Sequence, residues 1–353
     1  MTSRPKIRLP FVPNKLSGTS SLADVESDEL KSVVDGYAEI HDGGLAHRKE
    51  EYGSLVSRYY DIATDFYEFA WGSSFHFAPR RRGESFKDSI TRFQHLLADK
   101  LSLKPEMVVL DAGCGVGGPM GTLARYSGAS FVGITINAYQ IERAKANTQD
   151  VESLCRFIHG DFMQIPESDN TFDGAFSIEA LCHAPDKVAV LKEIFRVLRP
   201  GALFTRSDWC MTEKFDPGSE RHQQIKLRIE RGGGIADLAM TSEFPEALSA
   251  AGFEVLEVRD LAFDSDPETP WYLALQSTGD FSLASISRTT VGRALTNLTL
   301  RVGEKVRMFP KGSTAVSTML NTIADALIAS GETGIFTPMY HFLVRKPNTS
   351  ESK

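Results

Sequence analysis

Between Met107 and Asp208 the chain alternates short apolar runs with amphipathic stretches. The runs are MVVLD (107–111), SFVGIT (130–135), CRFIHG (155–160), FDGAFSI (172–178) and GALFTRSD (201–208), each bounded by Gly or Asp. Between them, apolar positions recur at three- and four-residue spacing over Pro119–Ser127, Ala138–Gln149 and Lys187–Leu198. Short apolar runs closed by turn residues read as strands, and the longer intervals as helices. The alternation predicts right-handed βαβ crossovers and an α/β fold on a mostly parallel sheet. Phe253–Leu261 and Met339–Arg345 read as two further strands at its far edge, with a helix over Ser242–Ala251 before the first. Residues from about 263 to 335 form an insertion with its own helices, one of them carrying Val316, Leu320, Ile323 and Leu327. That spacing predicts a helix packed over a pocket.

The N-terminal region follows other rules. Residues 1–48 read as a leader rich in Pro, Lys, Arg and Ser at its start, turning helix-tolerant from Ser21 onward. Residues 49–100 then hold eight aromatics between Tyr59 and Phe77: Tyr59, Tyr60, Phe66, Tyr67, Phe69, Trp71, Phe75 and Phe77. A chain of 10 % aromatics would place about two there. The cluster is either a packed helix–loop core or an aromatic wall over a ligand. The domain scheme is completed by a ligand-binding core over 101–262, a C-terminal region over 263–347 that returns the last strand, and a tail over 348–353.

Composition narrows the function. The net charge of −7 disfavours a general nucleic-acid binder. Four cysteines without a C-x-x-C pair predict neither a disulfide scaffold nor a metal site, and suit a reducing compartment. No run of 18 apolar residues occurs, and MTSRPKIRLPFVPNKLSG lacks the apolar segment of a secretory signal. A cytoplasmic protein, or one peripheral on the cytoplasmic face of a membrane, is expected. Between Phe281 and Lys311 six basic residues stand against Glu304 alone, interleaved with Val291, Leu295, Leu298, Leu300, Val302 and Val306. This segment is either an amphipathic surface packed on the core or one that docks on anionic lipid.

The first strand runs directly into Asp111-Ala112-Gly113-Cys114-Gly115-Val116-Gly117-Gly118. Strand, glycine turn and helix N-terminus make a nucleotide-binding device. Gly113, Gly115 and Gly118 satisfy the dinucleotide fingerprint, but Asp111 would repel a pyrophosphate and suits an ammonium or sulfonium. The next strand also ends in Thr135-Ile136-Asn137 without the acid that would hold a ribose. The leading acid with its glycines is the S-adenosylmethionine pattern of Rossmann-like methyltransferases. Asp161 and Phe162 would bond and stack on adenine, and Thr135, Asn137 and Gln140 would take the ribose. Gly113, Cys114, Gly115, Gly117 and Ile178 complete the expected cofactor shell.

Tyr67–Phe77, YEFAWGSSFHF, resembles the aromatic signature of the sterol C24-methyltransferase family. LDAGCGVGGPM (110–120), GITINAYQ (133–140), IEALCHAP (178–185), WCMTEKFDP (209–217) and IFTPMYHFLVRKP (335–347) are similar to further signatures, so the resemblance spans about residues 50–347. It implies a class I Rossmann-like methyltransferase with an N-terminal aromatic lid and a C-terminal α+β insertion over the acceptor. The reaction implied is methyl transfer from S-adenosylmethionine to the side-chain alkene of a Δ24-sterol, releasing S-adenosyl-L-homocysteine without a metal. Departures occur at Phe69, Ala70, Ser73, Ser207-Asp208 and GGGIAD (232–237), most of them beside the implied acceptor pocket. Another isoprenoid alkene, or a non-catalytic sterol binder, are the alternatives; an NAD-dependent oxidoreductase conflicts with Asp111. An alkene attacks the sulfonium methyl and leaves a carbocation, so the site needs cation-stabilising faces, dryness and a base. The candidates are Tyr67, Trp71, Phe75 and Tyr59 or Tyr60 for the wall, and Glu68, His76, Glu179 and His183 for the polar groups. Expected partners are the alkene and a membrane surface, without nucleic acid; a homo-oligomer is compatible with the sequence.

Overall fold

A computed structural model describes residues 27–276, 290–306 and 312–348. Seven strands form one sheet in the order β3-β2-β1-β4-β5-β7-β6. They are β1 (Val108–Ala112), β2 (Ser130–Thr135), β3 (Cys155–His159), β4 (Phe172–Ile178), β5 (Leu198–Met211), β6 (Glu254–Asp260) and β7 (Phe336–Arg345). β1 to β5 are parallel, whereas β7 lies antiparallel between β5 and β6. All seven expected strands are present, and the last to be made is inserted one place in from the edge.

Both faces are covered. On one, α4 (Phe86–Leu101) and α5 (Gly118–Ser127) bury Phe93, Leu97 and Leu123 with Phe131 and Phe176 of the sheet. On the other, α7 (Lys187–Val197) and α9 (Phe244–Ala251) bury Leu191, Ile194 and Leu248 against Leu110, Phe204 and Phe342. β1 and β4 are neighbours whose crossovers leave in opposite directions, which opens a crevice at their C-terminal ends.

A third core lies under the N-terminal helices. α1 (Ser27–Asp42) contributes Tyr37 and Ile40, and α3 (Tyr52–Trp71), joined to it by the short α2 (Gly44–Glu50), contributes Leu55, Tyr59 and Ile62, closed by Val316 of α11 (Ser313–Thr333). The leader expected over 1–48 is therefore helical from Ser27, and it buries Tyr37 and Ile40. Tyr37 and Ile40, scattered among charged residues, reach partners far along the chain that local reading does not see. α8 (Glu220–Gly233) and α11 cross where Gly232 admits Ile323, since a Cβ on the glycine would lie 2.3 Å from it. α10 (Thr290–Lys305) is described in part; its side chains are described from Leu298 on.

Candidate active site

The glycine turn sits at the mouth of the crevice. Gly113 (φ +100°), Gly115 (+50°) and Gly117 (+76°) all adopt left-handed backbone, which favours glycine. At Gly113 a Cβ would lie 2.3 Å from that of Ala180, so the turn needs a bare backbone to pass the end of β4. The Gly113 and Cys114 amides donate to the Ile134 carbonyl, fixing the turn against β2. α5 begins on Gly117 with no side-chain N-cap, whereas the next helix, α6 (Ala138–Asn147), is capped by Asn137. The first amides of α5 are left for the turn and its ligand.

Two buried polar atoms beside the turn have no hydrogen-bond partner. Asp111 is buried, and its Oδ2 has no hydrogen-bond partner. Burial without a cation beside it pushes its carboxyl well above the usual range. Gln140 Nε2 is buried and also unpartnered, while its Oε1 accepts from the Thr135 hydroxyl at 2.8 Å. A Cβ on Gly115 would meet nothing nearer than that nitrogen, at 4.0 Å. An unspent carboxylate, an unspent amide and open space at the glycine turn fit S-adenosylmethionine, with its cationic centres and its ribose hydroxyls.

The remaining expected cofactor residues divide. Phe162 lies beside Gly113, and Ile178 closes β4 at the crevice. Cys114 is buried under Gly133, where burial first and Asp111 second push its thiol far up. Asn137, expected on the ribose, has its groups engaged: Oδ1 caps α6 through the Gln140 amide, and Nδ2 donates to the Ser57 carbonyl and Asp61. Asp161, expected on adenine, accepts from Tyr52 and from the Met163 amide.

Those partners reveal a feature the sequence reading missed. α3 is laid along α6 by a ladder of side chains. Asp61 meets Asn137, Asp65 meets Tyr139, and Glu68 meets Arg143 at 2.5 Å and Asn147 at 3.2 Å. Acids at 61, 65 and 68 recur at helical spacing, which was the available signal. Glu68, expected among the catalytic groups, thus has both carboxylate oxygens on α6. Glu68→Gln and Arg143→Met should therefore act alike. Each should weaken S-adenosylmethionine binding roughly ten-fold by loosening the lid, measured by isothermal titration. A fall in kcat with unchanged affinity would instead put Glu68 at the acceptor.

Beyond α3 the lid crosses the turn. A Cβ on Gly118 would lie 1.8 Å from the Ser73 carbonyl oxygen, so this segment rests on the start of α5. Trp71 packs edge-on against Phe77 and Phe86. His76 is buried; its Nδ1–H donates to the Phe77 carbonyl, and its Nε2 accepts from Gln94. Burial lowers its pKa to about 4, so it is a neutral strut of the lid. Phe69 and Ala70 have side chains outside the described residues.

Glu179 stands at the centre. It follows β4 with φ +49°, an uncommon conformation for a residue with a Cβ. Oε1 accepts from the Phe77 amide at 2.5 Å and Oε2 from the Trp209 indole at 2.7 Å, linking lid to β5. Burial, opposed by these two bonds, pushes its carboxyl well up. Around it Tyr60, Tyr67, Phe75 and Trp209 are each half-buried rather than sealed in the core. Tyr67 packs on Phe75 and bonds Tyr59, Tyr59 meets Tyr60 edge-on, and Tyr60 bonds His183. Tyr59, Tyr60, Tyr67 and His183 thus form one connected wall, with Trp71 one layer behind. Asp208 points elsewhere, to Arg206 Nε and the Cys182 and Trp209 amides.

Residues 110–205 match a methyltransferase domain, and 283–348 match the sterol methyltransferase C-terminal family. The chain is 47 % identical to cycloartenol-C-24-methyltransferase 1 of Oryza sativa subsp. japonica, over 94 % of its own length and 98 % of that protein. It belongs to the sterol 24-C-methyltransferase family. Identity to the sterol 24-C-methyltransferase of Saccharomyces cerevisiae is 40 %, over 96 % of this chain and 91 % of that one. Among solved structures, the cyclopropane synthase MmaA2 from Mycobacterium tuberculosis matches with a TM-score of 0.65 at 15 % identity, covering 83 % of this chain and 98 % of that one. A geranyl diphosphate methyltransferase in complex with GPP and sinefungin matches at 0.60 and 17 %, over 84 % and 99 %. These two share the fold. The family's enzymes are S-adenosylmethionine-dependent C-methyltransferases, and the sheet is that of the class I methyltransferases.

Proposed function

We propose that the chain methylates the C24 alkene carbon of a Δ24-sterol, leaving a side-chain carbocation that undergoes a hydride shift and loses a proton. The observation that carries this reading is the meeting, at the ends of β1 and β4, of the unspent Asp111 and Gln140 with the aromatic wall around Glu179. S-adenosylmethionine supplies the electrophilic methyl group, and the chain's residues do the rest. Asp111, the glycine turn and Gln140 hold the donor, with Phe162 beside them. The faces of Tyr60, Tyr67, Phe75 and Trp209 attract the developing cation, each worth about 0.5–2 kcal/mol when dry. Glu179 adds negative charge, and its two hydrogen bonds keep it from collapsing onto the cation. The lid excludes water that would capture it.

Methyl-labelled S-adenosylmethionine offered with Δ24-sterols, side-chain-saturated sterols, squalene and prenyl diphosphates tests this by mass spectrometry. Label should enter the Δ24-sterols and spare the saturated ones. Label in squalene or a prenyl diphosphate would transfer the reading to another isoprenoid alkene, and label in none would leave a binding protein.

Access to such an acceptor calls for a lipid surface. Leu298 and Val302 on α10, and Val306 just past its end, are exposed at four-residue spacing, flanked by exposed Arg301 and Lys305. No helix among the described residues is long and apolar enough to cross a membrane. This stripe supports peripheral docking on anionic lipid; the rest of the basic stretch lies largely outside the described residues. Val302→Glu with Val306→Glu should abolish co-sedimentation with phosphatidylserine vesicles while preserving S-adenosylmethionine affinity. Undiminished sedimentation would remove α10 from the docking face.

A further inference from the structure

The proposed reaction ends with loss of a proton, and the structure distinguishes among the groups that could accept it. His183 lies on a short 3-10 turn, Leu181–His183, pinned by the Cys182 amide donating to Asp208 Oδ2 at 2.9 Å. Its Nδ1 stands 3.0 Å from the Gly234 carbonyl oxygen. A carbonyl only accepts, so Nδ1 carries the proton. In the neutral ring Nε2 is then an acceptor, and the Tyr60 hydroxyl 3.1 Å away must be its donor. With its proton committed to His183, the Tyr60 oxygen keeps its lone pairs as acceptors on a residue that is only half-buried.

The other candidates are spent differently. Glu179 accepts two hydrogen bonds that clamp the lid. His76 is closed on both nitrogens by Phe77 and Gln94. Glu68 is paired with Arg143. Tyr67 and Tyr59 share a bond with each other.

We infer that Tyr60 is the group that takes the proton from the substrate cation, and that His183 is the positioning residue that receives the tyrosine's own proton. This rests on the C-methylation reading above. In the step, the C–H bond beside the cationic carbon breaks and its electron pair becomes the new alkene. That proton goes to the Tyr60 oxygen as the hydroxyl proton passes to His183 Nε2. Tyrosine ends neutral and His183 ends as imidazolium, its Nδ1–H still on the Gly234 carbonyl; the extra proton leaves to solvent when the lid opens. Burial keeps free His183 neutral, with a pKa lowered to about 4. A weak base suffices, because a proton adjacent to a carbocation is far more acidic. The turn at Gly234 (φ +66°) matters here: a Cβ on it would lie 2.5 Å from the Tyr59 ring, so its carbonyl reaches His183 only from a bare backbone.

Tyr60→Phe keeps the ring and removes the hydroxyl; His183→Gln removes the imidazole. Each should lower kcat about 10²-fold, the loss typical of a removed proton-transfer group. S-adenosylmethionine affinity and Tm should stay near wild type. Some of the stranded cation should be captured by water, so a methylated alcohol should appear among the products. The double variant should lose no more than either single variant, because both cut one chain. In single turnovers, wild type should show a normal solvent deuterium isotope effect that Tyr60→Phe lacks. Wild-type kcat and products in Tyr60→Phe, losses that multiply in the double variant, or no isotope effect in wild type would overturn the proposal. The wild-type effect decides alone if a variant does not fold. Failure of the underlying reading looks different: wild type itself would label no alkene.

Discussion

Asp111→Asn should weaken S-adenosylmethionine binding by about 10²-fold or more, the scale of breaking a buried charge pair, while raising the Tm of the ligand-free protein. The two effects have one cause. In the ligand-free chain Asp111 is buried with Oδ2 unpartnered, so its charge is a liability until a cationic ligand arrives. Its folded pKa lies above the unfolded value. Its contribution to stability is therefore fully present below the ordinary carboxyl range and is lost as pH rises through the raised pKa. Ligand-free wild type should lose Tm over that window, and Asp111→Asn should lose less. Gly115→Val is the steric companion: it puts a branched side chain beside Gln140 Nε2 and into left-handed backbone, so it should exclude ligand and also lower Tm. Titration calorimetry and thermal melts against pH check both; wild-type affinity in both variants would remove the glycine turn from the donor site.

Glu179→Gln should lower kcat about 10²-fold or more, with smaller changes in either KM. Positive charge moves from donor to acceptor during the reaction, so a carboxylate near the acceptor stabilises the transition state more than the ground state. The structure adds a second consequence. An amide has one acceptor oxygen, whereas Glu179 receives two donors, from Phe77 and Trp209. Glutamine must turn its NH2 toward one of them, so the lid loosens as the charge disappears. Trp209→Phe, which removes one donor and leaves the charge, separates the two. Steady-state kinetics should place Trp209→Phe well above Glu179→Gln in kcat. Equal losses would make Glu179 a lid clamp alone.

The sheet was legible because each strand between Met107 and Asp208 is an apolar run closed by Gly or Asp, a local signal. The glycine turn was legible for the same reason. The roles inside the site were less so, because they depend on what each polar atom meets. Asn137, Thr135 and Gln140 look equivalent along the chain; the fold leaves only the Gln140 amide unspent among their side chains. Glu68 and Glu179 look alike as acids beside aromatic signatures. One is held by Arg143, 75 residues away, and the other by Phe77 and Trp209. The helices before Tyr52 were missed because their apolar residues are sparse, and they pack on α3 and α11 rather than on the sheet.

In the proposed reaction the methyl group lands on carbon, at C24 of the sterol side chain. The most direct measurement supplies S-adenosylmethionine bearing a CD3 group with a Δ24-sterol and locates the deuterium in the product by NMR and side-chain fragmentation. The expected result is deuterium on a new one-carbon branch at C24, with one deuteron lost wherever the final proton leaves from that branch. Deuterium on the sterol oxygen, or elsewhere on the ring system, would contradict it.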